Sequence, residues 1–112
     1  MHELTITQNM LNVVLEQAKE ADAKKVGRIN LVIGEMTGIV SDSVQFYFDF
    51  MKKGTLAEEA TLNFTMVPTK VKCRACGKSF ELNTDSTCPY CQASDMEVVT
   101  GKELFVESIE VD

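Results

Sequence analysis

The chain has 112 residues, 45% of them apolar, enough for one small domain with a real core and a lesser appendage. No apolar run is long enough to span a bilayer, and the opening MHELTITQNM has no secretory character, so a cytoplasmic protein without membrane attachment is expected. The formal charge of −6, with Lys70, Lys72 and Arg74 as the densest basic cluster, leaves no footprint for nucleic acid.

The first three residues bring several metal donors together. They supply the Met1 amine, the His2 ring, the amide nitrogens of His2 and Glu3, and the Glu3 carboxylate. An amine, an imidazole and deprotonated amides form a nitrogen-rich planar set suited to Ni(II) or Cu(II). His2 is the only histidine, and a terminal histidine is by default an unengaged surface residue.

Residues 4–24 are predicted to be helical. Leu4, Leu11, Leu15 and Ala18, and again Ile6, Met10, Val14, Ala18 and Ala21, recur at helical steps. Lys24 and Lys25 suit the C-terminal end and Gly27 is the expected stop. RINLVI, 28–33, alternates as a strand with Ile29, Leu31 and Ile33 on one face. Gly34 to Gly38 make a turn, and Ser41 is the expected N-cap of a second helix ending near Gly54. Val44, Tyr47, Phe48 and Met51 form its apolar stripe. For the aromatic stretch Phe46, Tyr47, Phe48 and Phe50, core packing is favoured over a partner-facing patch at Phe46 or Phe50. Residues 61–67 alternate again, with Leu62, Phe64 and Met66 on one side, until Pro68 ends the strand. Residues 102–111 form a last strand.

Between those last two strands lie Cys73-Arg-Ala-Cys76 and Cys88-Pro-Tyr-Cys91, two C-x2-C pairs eleven residues apart. Each pair turns two sulfurs inward, and two such turns complete a tetrahedron. The intervening segment has only Phe80 and Leu82 as large apolar residues. A bound zinc supplies about 10–16 kcal/mol towards ordering such a segment. Zinc on four thiolates would take the loaded chain to about −8. Iron in the same sulfur set is chemically open. Disulfides suit the reducing cytosol poorly, and Cys88-Pro-Tyr-Cys91 as a redox dithiol lacks the following helix that would activate it.

The expected fold is α+β. Two helices cover a three-stranded sheet, and a zinc ribbon is inserted between the second and third strands, whose pairing would bring its ends together. This divides the chain into an α/β domain, 1–69 and 99–112, and a ribbon domain, 70–98. Acidic pairs such as Asp85 with Asp95, or Glu58 with Glu59, read as surface and turn residues. No phosphate loop, nucleophile motif or catalytic histidine is present, so an enzyme is not expected. From these residues alone, a zinc-ribbon protein-interaction module with no role in metal delivery is the competing reading.

The opening Met1-His2-Glu3, the stretch LVIGEMTGIVSDSVQFYFDF, GTLAEEATL, both C-x2-C pairs and the closing KELFVESIEV together resemble the HypA family of nickel metallochaperones. The resemblance implies Ni(II) held at Met1, His2 and Glu3 as cargo, and Zn(II) held by Cys73, Cys76, Cys88 and Cys91. It further implies delivery, with a HypB-type GTPase, to the large subunit of [NiFe]-hydrogenase and in some organisms to urease. The chain departs from relatives that carry a histidine beside the cysteine motifs, since it has none there. Monomer and homodimer are both compatible with the sequence.

Overall fold

The computed structural model describes residues 3–82 and 87–112. Among these, the first helix, α1, spans Glu3–Glu20 and is followed by strand β1, Val26–Gly34. A 3-10 turn, Glu35–Thr37, leads to α2, Ser41–Met51, and then to β2, Thr61–Val67. Three short strands follow, β3 (Lys70–Cys73), β4 (Ser79–Glu81) and β5 (Met96–Thr100), and β6, Leu104–Val111, closes the chain.

The strands form two sheets. One has the order β2-β1-β6 and the other β4-β3-β5. In the first, β1 pairs parallel with β2 and antiparallel with β6. This corrects the expectation that the strands flanking the ribbon pair with each other. β1 takes the central position, hydrogen-bonded to a strand on each side, and its Leu31-Val32-Ile33 run is buried. The ribbon's ends are instead brought together by its own β3–β5 pairing.

Both helices lie on the face of β1 that carries Ile29, Leu31 and Ile33. Met10, Leu11, Val14 and Ala18 of α1 meet Val44 and Phe48 of α2 there, with Leu62 from β2. The helical period of α1 puts its buried residues three and four apart, as expected for one stripe. On the opposite face, an amide ladder crosses the sheet. Asn63 Nδ2 donates to Asn30 Oδ1, and Asn30 Nδ2 donates to Ser108 Oγ, both at 3.0 Å. That face is polar and open to water, as an antiparallel edge allows.

Several boundaries differ from expectation. α1 stops at Glu20, before Lys24, Lys25 and Gly27, which lie outside it. Ala23 N–H donates to Ala18 O and Asp22 N–H to Lys19 O, with Asp22 left-handed at φ 54°. This is a Schellman stop, and Asp tolerates the left-handed conformation well enough to replace glycine. Gly27 belongs to β1 instead. Ser41 is the first helical residue of α2, and Val40 takes the capping position without a side-chain cap. The aromatic stretch divides: Phe48 is fully buried, whereas Phe46 and Phe50 are 58% and 61% exposed and stack edge-to-face at 5.2 Å. Met66, expected beside Leu62, is half exposed because β2 is an edge strand and its end reaches past the helices. No helix among the described residues is long and apolar enough to cross a membrane.

The two sheets meet at a close backbone crossing. Met36 N–H donates to Gly101 O at 2.8 Å, and Gly34 N–H to Glu103 O at 2.6 Å. A Cβ on Gly34 would lie 2.1 Å from Gly101 O, so only glycine admits this approach. Thr100 Oγ1 donates to Pro68 O and Leu82 N–H to Thr69 O, which tie β5 and the end of β4 to the linker after β2.

Candidate metal centre

β3 runs directly into Cys73, and the chain then folds back on itself. Gly77 N–H donates to Cys73 O and Cys73 N–H to Lys78 O, both at 2.9 Å, with Gly77 at φ 78°. The second pair repeats the pattern. Gln92 N–H donates to Cys88 O and Cys88 N–H to Ala93 O, both at 2.8 Å, with Gln92 at φ 64°. Each turn thus places a left-handed residue four positions after its first cysteine. Glycine at 77 is visible in the sequence as a turn signal, whereas glutamine at 92 gives none. Arg74 bridges the turns, its backbone N–H to Asp95 O and its guanidinium to the Asp95 carboxylate at 3.1 Å.

These turns bring all four sulfurs within 4.8 Å of one another. Cys73 Sγ lies 3.5 Å from Cys91 Sγ, and Cys76 Sγ lies 3.6 Å from Cys88 Sγ. A tetrahedral site with Zn–S bonds of about 2.3 Å has sulfurs about 3.8 Å apart, so the set is sized for one such ion. Cys73 and Cys88 are buried; Cys76 and Cys91 close the cluster on the solvent side.

The protonation of these crowded thiols is set by burial, by backbone N–H groups and by one another. The Cys76 amide N–H pointing at Cys73 Sγ holds that thiol below its ordinary pKa of 9.0, against the effect of burial. At Cys88, burial pushes the pKa up, but the N–H groups of Cys91 and Tyr90 and the neighbouring thiols outweigh it and bring it down to about 6. At Cys91 the Ala93 amide lowers the pKa, while Cys73, burial, Cys88 and Cys76 together push it up to about 12. The Cys88 thiolate forms easily, and Cys91 beside it then resists ionising. A divalent cation at the centre reverses that resistance, because it stabilises every thiolate together.

Of the N-terminal residues, Glu3 opens α1. Its carboxylate Oε2 accepts from Val40 N–H at 3.3 Å, and its carbonyl accepts from the Thr7 hydroxyl at 2.6 Å. The start of α1 therefore meets the start of α2, a contact that sequence spacing gives no means to anticipate. Met1 and His2, and Asp85 of the acidic pairs, lie outside the described residues.

The fold and the cluster define a class: a small α+β protein with a four-cysteine cluster, able to hold a metal ion, in a two-knuckle ribbon. A family profile described as hydrogenase/urease nickel incorporation, metallochaperone, matches residues 1–111. Curated proteins named hydrogenase maturation factor HypA are similar throughout. The one from Dehalococcoides mccartyi strain 195 is 47% identical, over all of this chain and 95% of its own length. That from Caldanaerobacter subterraneus subsp. tengcongensis is 44% identical over the whole of both chains. The chain belongs to the HypA family, whose members are metallochaperones and maturation factors, not enzymes. The solution structure of the Ni metallochaperone HypA from Helicobacter pylori matches 99% of this chain and 97% of its own, with TM-score 0.68 and 23% identity. A second HypA solution structure matches 99% of this chain and 96% of its own, with TM-score 0.74 and 23% identity. At that identity these two matches speak for the fold.

Proposed function

We propose that this chain is a nickel carrier for hydrogenase maturation, binding Ni(II) at its N-terminus and passing it on with the help of a HypB-type GTPase. The receiving protein is the large subunit of [NiFe]-hydrogenase, or urease where that enzyme is made, and the work takes place in the cytoplasm. The observation that carries the reading is the family match, which runs through residue 1 and so includes Met1-His2-Glu3.

Nickel is cargo in this reading, so its donors have to hold without trapping. The Met1 amine, the His2 ring and an amide nitrogen give a strong but incomplete planar set, with Glu3 alongside. The remaining position is open to a receiving ligand. Four residues, Cys73, Cys76, Cys88 and Cys91, hold a resident Zn(II), which offsets half of their thiolate charge and ties the two turns together. This gives a nickel-binding α/β domain, 1–69 and 99–112, and a zinc ribbon, 70–98.

The test is a calorimetric nickel titration of the untagged chain and of His2→Ala, with zinc measured by elemental analysis. Specific nickel binding is expected to vanish in His2→Ala while about one zinc per chain is retained. In the native protein, nickel binding is expected to weaken towards pH 6, as protons compete for the imidazole and the amine. An unchanged isotherm for His2→Ala would leave the chain as a zinc-ribbon interaction module.

A further inference from the structure

The inner face of the first sheet is incompletely covered. α1 and α2 pack over β1, and an apolar groove of about 470 Å³ remains between α1 and β6. Ile6, Asn9 and Val13 form its helical wall, and Leu104, Phe105 and Val106 its strand side. Val13 is 50% exposed and Leu104 38%, whereas Phe105, paired with Val32, belongs to the sheet's other face. Further along β6, Val111 is also exposed, so the apolar floor continues past the groove. α1 and β6 run side by side from the ribbon end, and Lys24 N–H bonds Asp112 O where they finish.

Exposed carboxylates flank this groove along its length, with Lys102 and Lys24 at its two ends. Glu16 and Glu20 follow Val13 by three and seven residues, so they stand on the same side of α1 and are exposed. On the strand side, Glu107 is the unopposed residue where the pairing of β6 with β1 shifts register, and it too is exposed. Glu110 is neutralised by Arg28. Lys19 lies on the other flank of α1 with Leu15, and Lys102 precedes β6 at the ribbon end.

We propose that the groove between α1 and β6 docks one amphipathic helix of a partner protein, apolar on one face and carrying Lys or Arg along its flanks. A helix packs about 8–10 Å from its neighbour, so one laid beside α1 falls over β6 and buries Val13, Leu104 and Val106. Basic flanks then meet Glu16, Glu20 and Glu107. A second copy of this chain is the poorer occupant, because a two-fold contact on this face sets those same carboxylates against each other in two chains of charge −6.

The experiment titrates the full-length, zinc-loaded, isotopically labelled chain with synthetic helices of about four turns, followed by amide shifts and by calorimetry. Three probes are used: Leu on one face with Lys flanks, the same with Glu flanks, and Ser replacing Leu with Lys kept. The Leu/Lys helix is expected to bind saturably, shifting Ile6, Val13, Leu104 and Val106. Val13→Lys, at a half-exposed site, is expected to weaken it at least tenfold without altering the unfolding temperature. Glu16→Gln with Glu20→Gln is expected to reduce the salt dependence. Absence of binding, equal binding of the Ser/Lys or Leu/Glu helix, or shifts confined to another face would overturn the proposal. So would a dimer of the chain alone that Val13→Lys dissociates, since the occupant would then be a second copy.

Discussion

Gly34 and Gly101 show how much a missing Cβ can decide. At Gly101 the backbone sits at φ +114° with Thr69 Cα only 2.9 Å from where a Cβ would stand. Gly34 faces the Gly101 carbonyl at still closer range, and backbone rather than a movable side chain is in the way. Gly34→Ala is therefore expected to destabilise the protein by about 1–3 kcal/mol, the cost of overpacking a site that cannot yield. A lowered urea midpoint at constant slope is the measurement, and an unchanged midpoint would refute the close crossing. In the sequence, Gly34 and Gly38 alike mark a turn. Only Gly38 meets that expectation in the ordinary way, left-handed at φ 71° with open space around it. The demand on Gly34 comes from a residue 67 positions away, which no local pattern reveals.

At the scale of the element, α2 divides its aromatics by helical phase. Phe48 follows Val44 by four residues and points with it into the core, whereas Phe46 and Phe50 share the outer side and stack on each other. Phe48→Ala is expected to cost about 3–5 kcal/mol, as large core truncations do. Phe50→Ala should stay within about 0.5 kcal/mol of the native value, because the ring is mostly in water. Thermal or urea unfolding of the two variants decides it, and similar losses in both would contradict the division. The stripe Val44, Tyr47, Phe48 and Met51 was readable from periodicity. That Phe46 and Phe50 are left uncovered was not, because composition favours burying phenylalanine wherever a neighbour exists. Among the described residues, the helix packed on α2 is α1, and it covers the other side.

The whole molecule is elongated, 55 × 24 × 17 Å, with a radius of gyration of 17.8 Å. A compact chain of this length has about 13 Å. The excess reflects two sheets set end to end, only one of which has a sizeable core. Among the described residues, those buried in the ribbon are few, Val71, Cys73 and Cys88 with Thr69 at its root, so its order depends on what joins the four sulfurs. Removing the metal with a strong chelator is expected to abolish hydrogen-exchange protection in β3, β4 and β5. Protection around Ile29, Val14 and Phe48 should persist. Loss of both together would show that the sheets fold as one unit.

Neighbours along the chain are enough to settle the local features of this protein. The spacing within Cys73-Cys76 and Cys88-Cys91 sets the turns, the periods of α1 and β1 set their buried faces, and Pro68 ends β2. Together with the quoted motifs, that was enough to point to the family. The tertiary structure decided what depends on distant partners. It placed β1 between β2 and β6, brought Glu3 to Val40, and left the side of β6 next to α1 uncovered. Local spacing fixes which face of an element is apolar, but not which element will lie against it. That choice is made by competition among all the apolar faces of the chain for too few neighbours, and here β6 is left half covered.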